Sequence, residues 1–412
     1  KEYRTISQIK GPLIFVERVA DVAYDEMVQI IDPDGLPRVG CVLEIDKDMA
    51  IIQCVQCNQA YPDAGVPYCC PACGGVFDYD CAPEFHPSMV DPAQPGLWRY
   101  RHAFGLPDHA PVPYLGEGLT PLVPVRVREK QVLFKLESQN PTGSYKDRGS
   151  TVLVSQLLHR GVGLAVEDSS GNAGASFAAY CARGGLKARV YVPESASGPK
   201  RIQIERYGAD LVRVPGPRAE AARAVLRDAK AGIPYASHAY LPFGLAGIAT
   251  ISYEIFEQIE KCPGSVIAPV GHGGLLLGVM RGFQSLQGAG LITDLPYFVG
   301  VQAANCAPLV EASRVGMGAL DTTLEGNTIA EGVKVRRPMR GEALLNEMKK
   351  GEWIAIPEEE ILLGFQALAA MGIYIEPTSA LGWAALVKLI DKLPEPIVVV
   401  LTGSGLKYEG GF

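Results

Sequence analysis

The stretch SQNPTGSYKDRG, residues 138–149, places a single lysine, Lys146, in a short polar segment. Asn, Thr, Gly and Ser lie just before this lysine, and Asp, Arg and Gly follow it. Lys146 is either a solvated loop residue or a residue whose amine forms a bond to a bound group. The surrounding sequence decides between these two interpretations.

Strand and helix patterns alternate along the chain from about residue 131 onward. We predict strands at residues 132–136, 163–168, 188–192, 266–270 and 398–401, and helices at residues 150–159 and 175–183. This alternation predicts an α/β fold whose mostly parallel sheets are covered on both faces. Because such sheets bind ligands beyond the carboxyl ends of their strands, the loops at those ends form the candidate site.

Three loops that follow predicted strands carry small or polar residues. In the serine loop, SSGNAG at residues 169–174, small residues let backbone N–H groups approach an anion. The glycine loop, PVGHGGL at residues 269–275, can bind a phosphate through its backbone amides. The C-terminal loop, LTGSGLK at residues 401–407, presents hydroxyl groups. Each loop alone is also compatible with an ordinary tight turn, and His272 with a structural turn residue.

The combination of the three loops with Lys146 is more informative than any one of them. A lysine amine, a backbone site for a phosphate and a neutral hydroxyl are what one type of pyridoxal phosphate (PLP) enzyme requires. The amine bonds to the cofactor, the glycine loop holds its phosphate, and the hydroxyl faces its pyridine nitrogen. This combination favours a bonded Lys146 over a solvated one.

Residues 54–412 resemble the threonine synthase-type enzymes of the PLP fold type II family. The matching segments are NPTGSYKDRG and the three loops, the two CxxC pairs, WRY at 98–100, GEGLTPL at 116–122 and EPTSA at 376–380. The resemblance implies two open, parallel-type α/β domains. It also implies a lyase that converts O-phosphohomoserine and water into threonine and phosphate.

The resemblance further implies roles for the matching residues. Lys146 binds PLP covalently and moves protons, Asn172 contacts the 3′-oxygen of the cofactor, and Thr402 faces the pyridine nitrogen, with Ser404 as the alternative. The cofactor phosphate is held by Gly271, His272, Gly273, Gly274 and Leu275. The carboxylate of the substrate is bound by Ser169, Ser170, Gly171 and Ala173.

Three segments depart from the threonine synthase pattern. The glycine loop reads GHGGL, which is closer to the dehydratases than to G-N-x-G-N. Threonine synthases often carry N-S-x-N-x-x-R-x-x-G to bind the phosphate of their substrate, whereas residues 238–247 read HAYLPFGLAG and contain no Arg. The loop AEGVKVRRP at residues 330–338 also resembles that of amino-acid dehydratases. A threonine or serine dehydratase, or a related β-replacement enzyme, is therefore an alternative. A non-catalytic binding or assembly protein is an alternative of another class.

Four cysteines, Cys54, Cys57, Cys70 and Cys73, have the spacing C-x2-C-x12-C-x2-C. Two such knuckles suit tetrahedral zinc, because each presents two thiolates on a tight turn. With sulfur at all four positions the metal has no open site, so we expect a structural zinc. We call residues 54–81 the ribbon segment; an unmetallated Cys-rich linker is its alternative interpretation.

The strand and turn patterns in residues 1–53 predict a small β unit. GPLIFV at 11–16 and MVQII at 27–31 suggest strands, and DPDG at 32–35 suggests a turn. Through YRTIS, GPL, DGLPRVG and VLE the unit resembles the N-terminal barrel of the B subunit of V-type and archaeal ATPases. The nucleotide-contacting domain of that subunit is missing, so ATPase function is not expected. A native domain, a fusion and an artefact stay open, and we assign residues 82–412 to the catalytic region.

The 412 residues carry a net charge of −7 and contain no apolar run of membrane-spanning length. Neither property favours nucleic acid or a membrane as a partner. The chain starts with Lys, so we expect it to be processed, trimmed or a fragment. Its thiols and the lack of a secretion signal at its start predict the cytoplasm. By analogy with the family we expect a homodimer that acts on an amino-acid substrate.

Overall fold

The structure is a computed structural model that describes residues 6–10, 13–16, 27–31, 37–41, 52–196, 198–322 and 326–410. The chain divides into two compact units, Lys1–Met49 and Ala50–Phe412. Among the described residues, no helix is both long and apolar enough to cross a membrane.

The first unit consists of two antiparallel strand pairs. Strand β1 (Ile6–Lys10) pairs with β2 (Leu13–Val16), and β3 (Met27–Ile31) pairs with β4 (Pro37–Cys41). Strands therefore occupy the described parts of both predicted segments, 11–16 and 27–31. The turn predicted at residues 32–35 lies outside the described residues.

The second unit contains the remaining strands and the helices. Its strands are β5 (Ile52–Cys54), β6 (Phe77–Tyr79), β7 (Leu122–Val127), β8 (Lys130–Leu136), β9 (Leu164–Glu167), β10 (Lys187–Pro193), β11 (Asp210–Val214), β12 (Ser265–Pro269), β13 (Tyr297–Ala303), β14 (Gly351–Ile356) and β15 (Ile397–Leu401). Its α-helices are α1 (Lys146–His159), α2 (Asn172–Gly184), α3 (Pro199–Arg206), α4 (Arg218–Lys230), α5 (Gly244–Ile259), α6 (Gly274–Gly288), α7 (Pro308–Val315), α8 (Ala319–Thr322), α9 (Gly341–Glu347), α10 (Glu358–Ala370) and α11 (Pro377–Leu389).

Two open sheets organise the second unit. The larger sheet has the order β14-β13-β12-β15-β8-β7 and is parallel except for the β7–β8 pair. The smaller sheet has the order β11-β10-β9 and is parallel throughout. The central strands β12 and β15 are buried along their whole length, as continuous apolar runs in parallel sheets are. The predicted α/β fold with two mostly parallel sheets is confirmed.

The start of α1 differs from the sequence prediction. The sequence predicts a turn at Lys146 before a helix at 150–159, but the helix begins at Lys146 itself. The carboxylate of Asp147, in the first helical turn, accepts hydrogen bonds from the backbone N and the hydroxyl of Thr142, at 2.7 and 2.6 Å. An acidic residue at this position stabilises a helix start, so the polar residues 146–149 form its first turn.

Candidate active site

The segment before Lys146 lies against the C-terminal loop. The backbone N of Tyr145 donates to the carbonyl oxygen of Thr402 at 3.0 Å, and the N of Ser404 donates to the oxygen of Gly143 at 2.9 Å. Both loops emerge from the carboxyl ends of neighbouring parallel strands, β8 and β15. The topology of the larger sheet thus brings Lys146 together with both predicted hydroxyl residues.

The positive charge of Lys146 acts on the glycine loop. Its Nζ is 4.9 Å from the ring centre of Tyr145. Burial and then the positive charge of Lys146 lower the pKa of His272, in the glycine loop, to about 3. His272 is therefore neutral near pH 7, and the amine is near enough to act on it electrostatically.

The glycine loop leaves β12 and turns tightly into α6. Gly273 has a φ of 99°, a left-handed conformation that favours glycine. A Cβ atom at Gly271 would lie 2.7 Å from the carbonyl oxygen of Gly332, so a larger residue does not fit there. No acidic side chain lies in the first turn of α6, and the free N–H groups of that turn suit an anion.

The serine loop follows β9 and starts α2 at Asn172. Its first residue, Ser169, is buried, and its hydroxyl accepts a hydrogen bond from the backbone N of Gly171 at 3.3 Å. Ser170 and Gly171 are partly exposed, while Ala173 is buried. The loop therefore begins at a buried residue, Ser169, and continues into backbone at residues 170–171 that a small molecule can reach.

A buried carboxylate, Glu376, joins the serine loop to the C-terminal loop. The side-chain amide of Asn172 donates to both oxygens of Glu376 at 3.0 Å. The hydroxyl of Thr402 donates to the same carboxylate at 3.4 Å, and the amine of Lys200 lies 3.2 Å from it. The sequence predicts no role for Glu376 within EPTSA, although it immediately precedes the proline that starts α11, a position at which an acidic residue favours a helix.

The two candidate hydroxyls differ in their surroundings. Thr402 is buried, with its hydroxyl 2.9 Å from that of Ser379 and facing Glu376. The hydroxyl of Ser404 instead accepts from the backbone N of Leu406 at 3.3 Å and caps a short helical turn. Thr402 is thus directed toward Asn172 and Glu376, whereas the bond of Ser404 is local.

Pyridoxal phosphate fits these residues. Among the described residues, Ser144 Oγ, Asn172 Oδ1 and His272 Nδ1 are buried polar atoms without a hydrogen-bond partner, and they lie on three of the loops that meet here. The narrow glycine loop offers backbone N–H groups, and Lys146 offers a primary amine. This donor set matches a ligand that carries a phosphate, ring heteroatoms and an aldehyde.

A second pair near the glycine loop joins the partly exposed His238, in residues 238–247, to the buried Glu167 at the end of β9. His238 Nδ1 lies 2.9 Å from an oxygen of Glu167, and its ring centre lies 5.8 Å from that of His272. Burial raises the pKa of Glu167 well above its ordinary value, while burial and the charge of Lys146 lower the pKa of His238. Burial therefore favours the uncharged form of each group. The sequence predicts a role for neither residue.

A buried ionic network supports the helix that begins at Lys146. Arg148 is fully buried and donates two hydrogen bonds to Glu137 and two to Glu254, at 2.6–2.8 Å. Lys135, on β8, also donates to Glu254 at 2.7 Å. The network ties α1 to β8 and α5, so it fixes the direction in which the helix presents Lys146.

The four predicted metal ligands come together. The Sγ atoms of Cys54, Cys57, Cys70 and Cys73 all lie within 4.8 Å of one another. Cys54 Sγ and Cys73 Sγ are 3.4 Å apart, and Cys57 Sγ and Cys70 Sγ are 3.6 Å apart. Such a four-sulfur cluster suits a tetrahedrally coordinated metal such as zinc.

Two family models match the chain. Residues 114–403 match the family described as pyridoxal-phosphate dependent enzyme. Residues 6–54 match the β-barrel domain of the ATP synthase alpha/beta family. The second match agrees with the resemblance seen in the N-terminal residues.

Curated relatives narrow this assignment, and solved structures share the fold. Threonine synthase from Methanocaldococcus jannaschii is 34% identical over 86% of this chain and 92% of its own, and that from Methanosarcina acetivorans is 30% identical over the same shares. The T.th. threonine deaminase superposes with a TM-score of 0.60 at 24% identity, covering 71% of this chain and 94% of its own. Maize serine racemase superposes with a TM-score of 0.60 at 18% identity, covering 70% of this chain and 88% of its own. The chain therefore belongs to the pyridoxal-phosphate-dependent enzymes and, within them, to the threonine synthase family of lyases.

Proposed function

We propose that the protein converts O-phosphohomoserine and water into threonine and phosphate. The observation that carries this proposal is its similarity to proteins named threonine synthase, of which it spans 92%. The hydrogen bonds that join the segment around Lys146 to the C-terminal loop support it, because a PLP-dependent lyase needs an amine beside the residues that hold its cofactor.

In this proposal Lys146 holds the cofactor covalently, and five residues hold its phosphate. These are Gly271, His272, Gly273, Gly274 and Leu275. Bound there, PLP would supply an electron sink that makes the α C–H bond of an amino acid more acidic. The low pKa of His272 keeps its ring neutral, so binding of the phosphate relies on backbone N–H groups and the dipole of α6.

We assign the remaining cofactor contacts to Asn172, for the 3′-oxygen, and Thr402, for the pyridine nitrogen. The buried, inward-facing hydroxyl of Thr402 supports this choice over Ser404, whose hydroxyl caps a turn. A hydroxyl leaves the pyridine nitrogen largely unprotonated, which favours elimination and replacement over other reactions of the same cofactor. Glu376 holds the side chains of Asn172 and Thr402 in place.

We propose that the serine loop binds the carboxylate of the substrate through Ser169, Ser170, Gly171 and Ala173. This places the α-carbon of the substrate near Lys146, whose amine then takes up the α-proton and returns it later. In O-phosphohomoserine the γ-phosphate leaves and water adds at Cβ. This chain contributes two things to those steps: the amine of Lys146 carries the proton, and the serine loop binds the carboxylate of the substrate.

Three further assignments belong to the same proposal. The four-cysteine cluster binds a structural zinc, since all four of its ligands are sulfur. The enzyme works in the cytoplasm as a homodimer. The ribbon segment (54–81) and the catalytic region (82–412) act together, and residues 1–53 form a separate β unit.

The second candidate is dehydration of threonine or serine, and residues 238–247 favour it. The family pattern places its Arg where this chain has Gly244, and a Cβ atom there would lie 3.2 Å from Gly149 Cα. The contact leaves little room for a long side chain. Burial disfavours the charged forms of His238 and Glu167, so this pair is suited to donate a proton to a leaving hydroxyl rather than to bind a phosphate dianion.

Parallel incubations of the purified protein with O-phosphohomoserine, threonine and serine distinguish the two candidates. Release of inorganic phosphate with formation of threonine supports the first candidate, and release of a keto acid supports the second. If none of the three substrates yields either product, both candidates fail, although the family assignment would stand.

A further inference from the structure

The ribbon segment contacts the glycine loop through one buried arginine. Arg340 lies just before α9, and only 3% of it is exposed. Its backbone N donates to the carbonyl oxygen of His272 at 2.9 Å. Its guanidinium donates to the carbonyl oxygen of Phe77, on β6 of the ribbon segment, at 2.7 Å. One residue thus binds both the loop proposed to hold the cofactor phosphate and the segment that carries the four cysteines.

The same guanidinium also reaches residues 238–247, the segment in which the family binds the phosphate of its substrate. Arg340 Nη2 donates to the carbonyl oxygen of Tyr240 at 2.7 Å, within residues 238–247. The side chain of Arg340 also packs on the glycine loop, because a Cβ atom at Gly273 would lie 3.0 Å from the Cβ of Arg340. A displacement of Arg340 would therefore move the glycine loop and residues 238–247 together.

Asp78, also on β6, holds this arginine in place. It is 4% exposed and lies 3.3 Å from Arg340 and 2.6 Å from Arg281. Arg281 belongs to α6, the helix that the glycine loop starts. Burial opposes the charge of Asp78, but the two guanidinium groups hold its pKa below the ordinary value, so the carboxylate stays ionised. Arg340 thus pairs with an anion supplied by the ribbon segment, and Arg281 pairs both with that anion and with Glu347, 2.7 Å away.

Aromatic contacts add a second connection. The ring of Tyr61 packs edge-on against Phe243 with centroids 5.1 Å apart, and that of Tyr68 packs against Tyr240 at 5.5 Å. Tyr61 and Tyr68 both lie between the two cysteine knuckles, and Phe243 and Tyr240 both lie in residues 238–247. The positions of these rings therefore depend on the fold of the ribbon segment.

The ribbon segment has little regular structure of its own. Strands β5 and β6 have three residues each. A two-stranded pair of this length is not stable in water, so a metal bound to the four cysteines would set the shape of the segment. The positions of Phe77 and Asp78 follow from that shape, since β6 begins four residues after Cys73.

We propose that metal binding at the four cysteines and PLP binding at the glycine loop are coupled through Asp78 and Arg340. Arg340 is a positioning residue: it orients the carbonyl of His272, and through it the loop, and touches no reacting atom. Coupling between two binding sites is reciprocal, so each ligand tightens the other by the same factor. The inference rests on the proposed function for the position of the cofactor phosphate and for the metal at the four cysteines, and it is independent of the substrate.

The wild-type protein tests the coupling in both directions without any mutation. PLP binding to the apoenzyme is followed by absorbance, with the cysteine cluster loaded with zinc or stripped by a chelator. Release of zinc to a chromogenic chelator is followed with and without saturating PLP. We expect the zinc-loaded form to bind PLP about tenfold more tightly, and PLP to tighten zinc binding by the same factor, a coupling of about 1.4 kcal/mol. Equal PLP affinity in both forms, or a protein that binds no zinc, overturns the proposal.

Asp78→Asn tests the route of the coupling. Loss of this charge should reduce the factor from about tenfold toward one, because Arg340 loses its anion. Asp228→Asn is the matched control: it removes the partner of Arg189 and Tyr191 in the smaller sheet and should leave the factor unchanged. Full coupling in Asp78→Asn, or equal loss in both variants, contradicts the assigned route. Because no substrate is used, these results do not depend on whether phosphate or a keto acid is the product.

Discussion

The cofactor side and the substrate side of the candidate site differ in how closely their residues follow the family pattern. On the cofactor side, Lys146 and Thr402 carry the family residues, and the hydrogen bond from Tyr145 N to Thr402 O brings their segments together. On the substrate side, residues 238–247 lack the Arg of the family pattern and contain His238, paired with Glu167. Cofactor chemistry is shared by the family, whereas the leaving group is specific to each enzyme. The difference therefore indicates that the substrate has to be established separately from the cofactor.

The largest expected effect comes from removing the amine on the cofactor side. Lys146→Ala should lose the absorbance of bound PLP near the visible edge and reduce kcat by about 10³-fold or more, since no other amine takes its place. Absorbance spectra and steady-state rates measure both effects. Lys187→Ala, at an exposed position on β10, is the control and should behave as wild type. An unchanged absorbance spectrum in Lys146→Ala would show that Lys146 is not the residue that binds PLP.

Glu254→Gln tests whether the buried network supports the cofactor side. Glu254 is fully buried with Arg148 and Lys135, and breaking such a pair costs about 3–5 kcal/mol of unfolding free energy. Urea unfolding measures the loss. Glu205→Gln, which alters a surface pair with Arg201, should cost less than about 1 kcal/mol. Similar losses in the two variants would argue against a special role for the network.

The same variant carries a pH signature. Burial opposes ionisation of Glu254, but Arg148 and Lys135 lower its pKa from 4.5 to about 2. A group with a lowered pKa in the folded state stabilises the fold above its unfolded pKa, and this contribution disappears as the pH falls from 4.5 toward 2. Wild type should therefore lose more stability over this interval than Glu254→Gln does. Parallel pH profiles would contradict the assigned ionisation.

His238→Asn places the first residue of the family pattern on the substrate side. We expect kcat/KM to fall by about 10²-fold if His238 transfers a proton to the leaving group, while PLP affinity stays the same. Product assays and PLP titration separate the two quantities. His159→Asn, at the exposed end of α1, is the control. A large loss of PLP affinity in His238→Asn would show that the two sides are not separate.

The smallest expected effect distinguishes the two candidate hydroxyls. Thr402→Val should weaken PLP binding about fivefold and shift its absorbance, because it removes a hydrogen bond worth about 1 kcal/mol. Ser404→Ala should change neither, since the Ser404 hydroxyl accepts from Leu406. The reverse result would assign the pyridine nitrogen to Ser404.

Local patterns predict one part of the site, and tertiary contacts determine the other. The glycine loop, the lysine segment and the four cysteines are short, contiguous motifs whose chemistry is visible in the sequence. Glu376 bonds to Asn172 across 204 positions and Arg340 bonds to Phe77 across 263, so neither contact leaves a local pattern. The pairing of His238 with Glu167 similarly depends on how β9 lies beside residues 235–238. Such contacts follow from topology, which periodicity alone does not determine.

The helix start at Lys146 is a related case. Residues 146–149 are polar and contain Gly149, so their sequence favours a turn. Two of these residues instead form hydrogen bonds with distant groups, since Arg148 donates to Glu254 and Asp147 accepts from Ser176 at 2.6 Å. The apparent turn is thus a buried first helical turn.

Borohydride reduction followed by peptide mass spectrometry tests the central claim most directly. Reduction makes the bond between PLP and its lysine permanent, so the labelled peptide identifies the residue. We expect a single phosphopyridoxyl group on Lys146, in the tryptic peptide that spans residues 136–148, since trypsin does not cleave after a modified lysine. A label on another lysine, with the Lys146 peptide unmodified, would contradict the account.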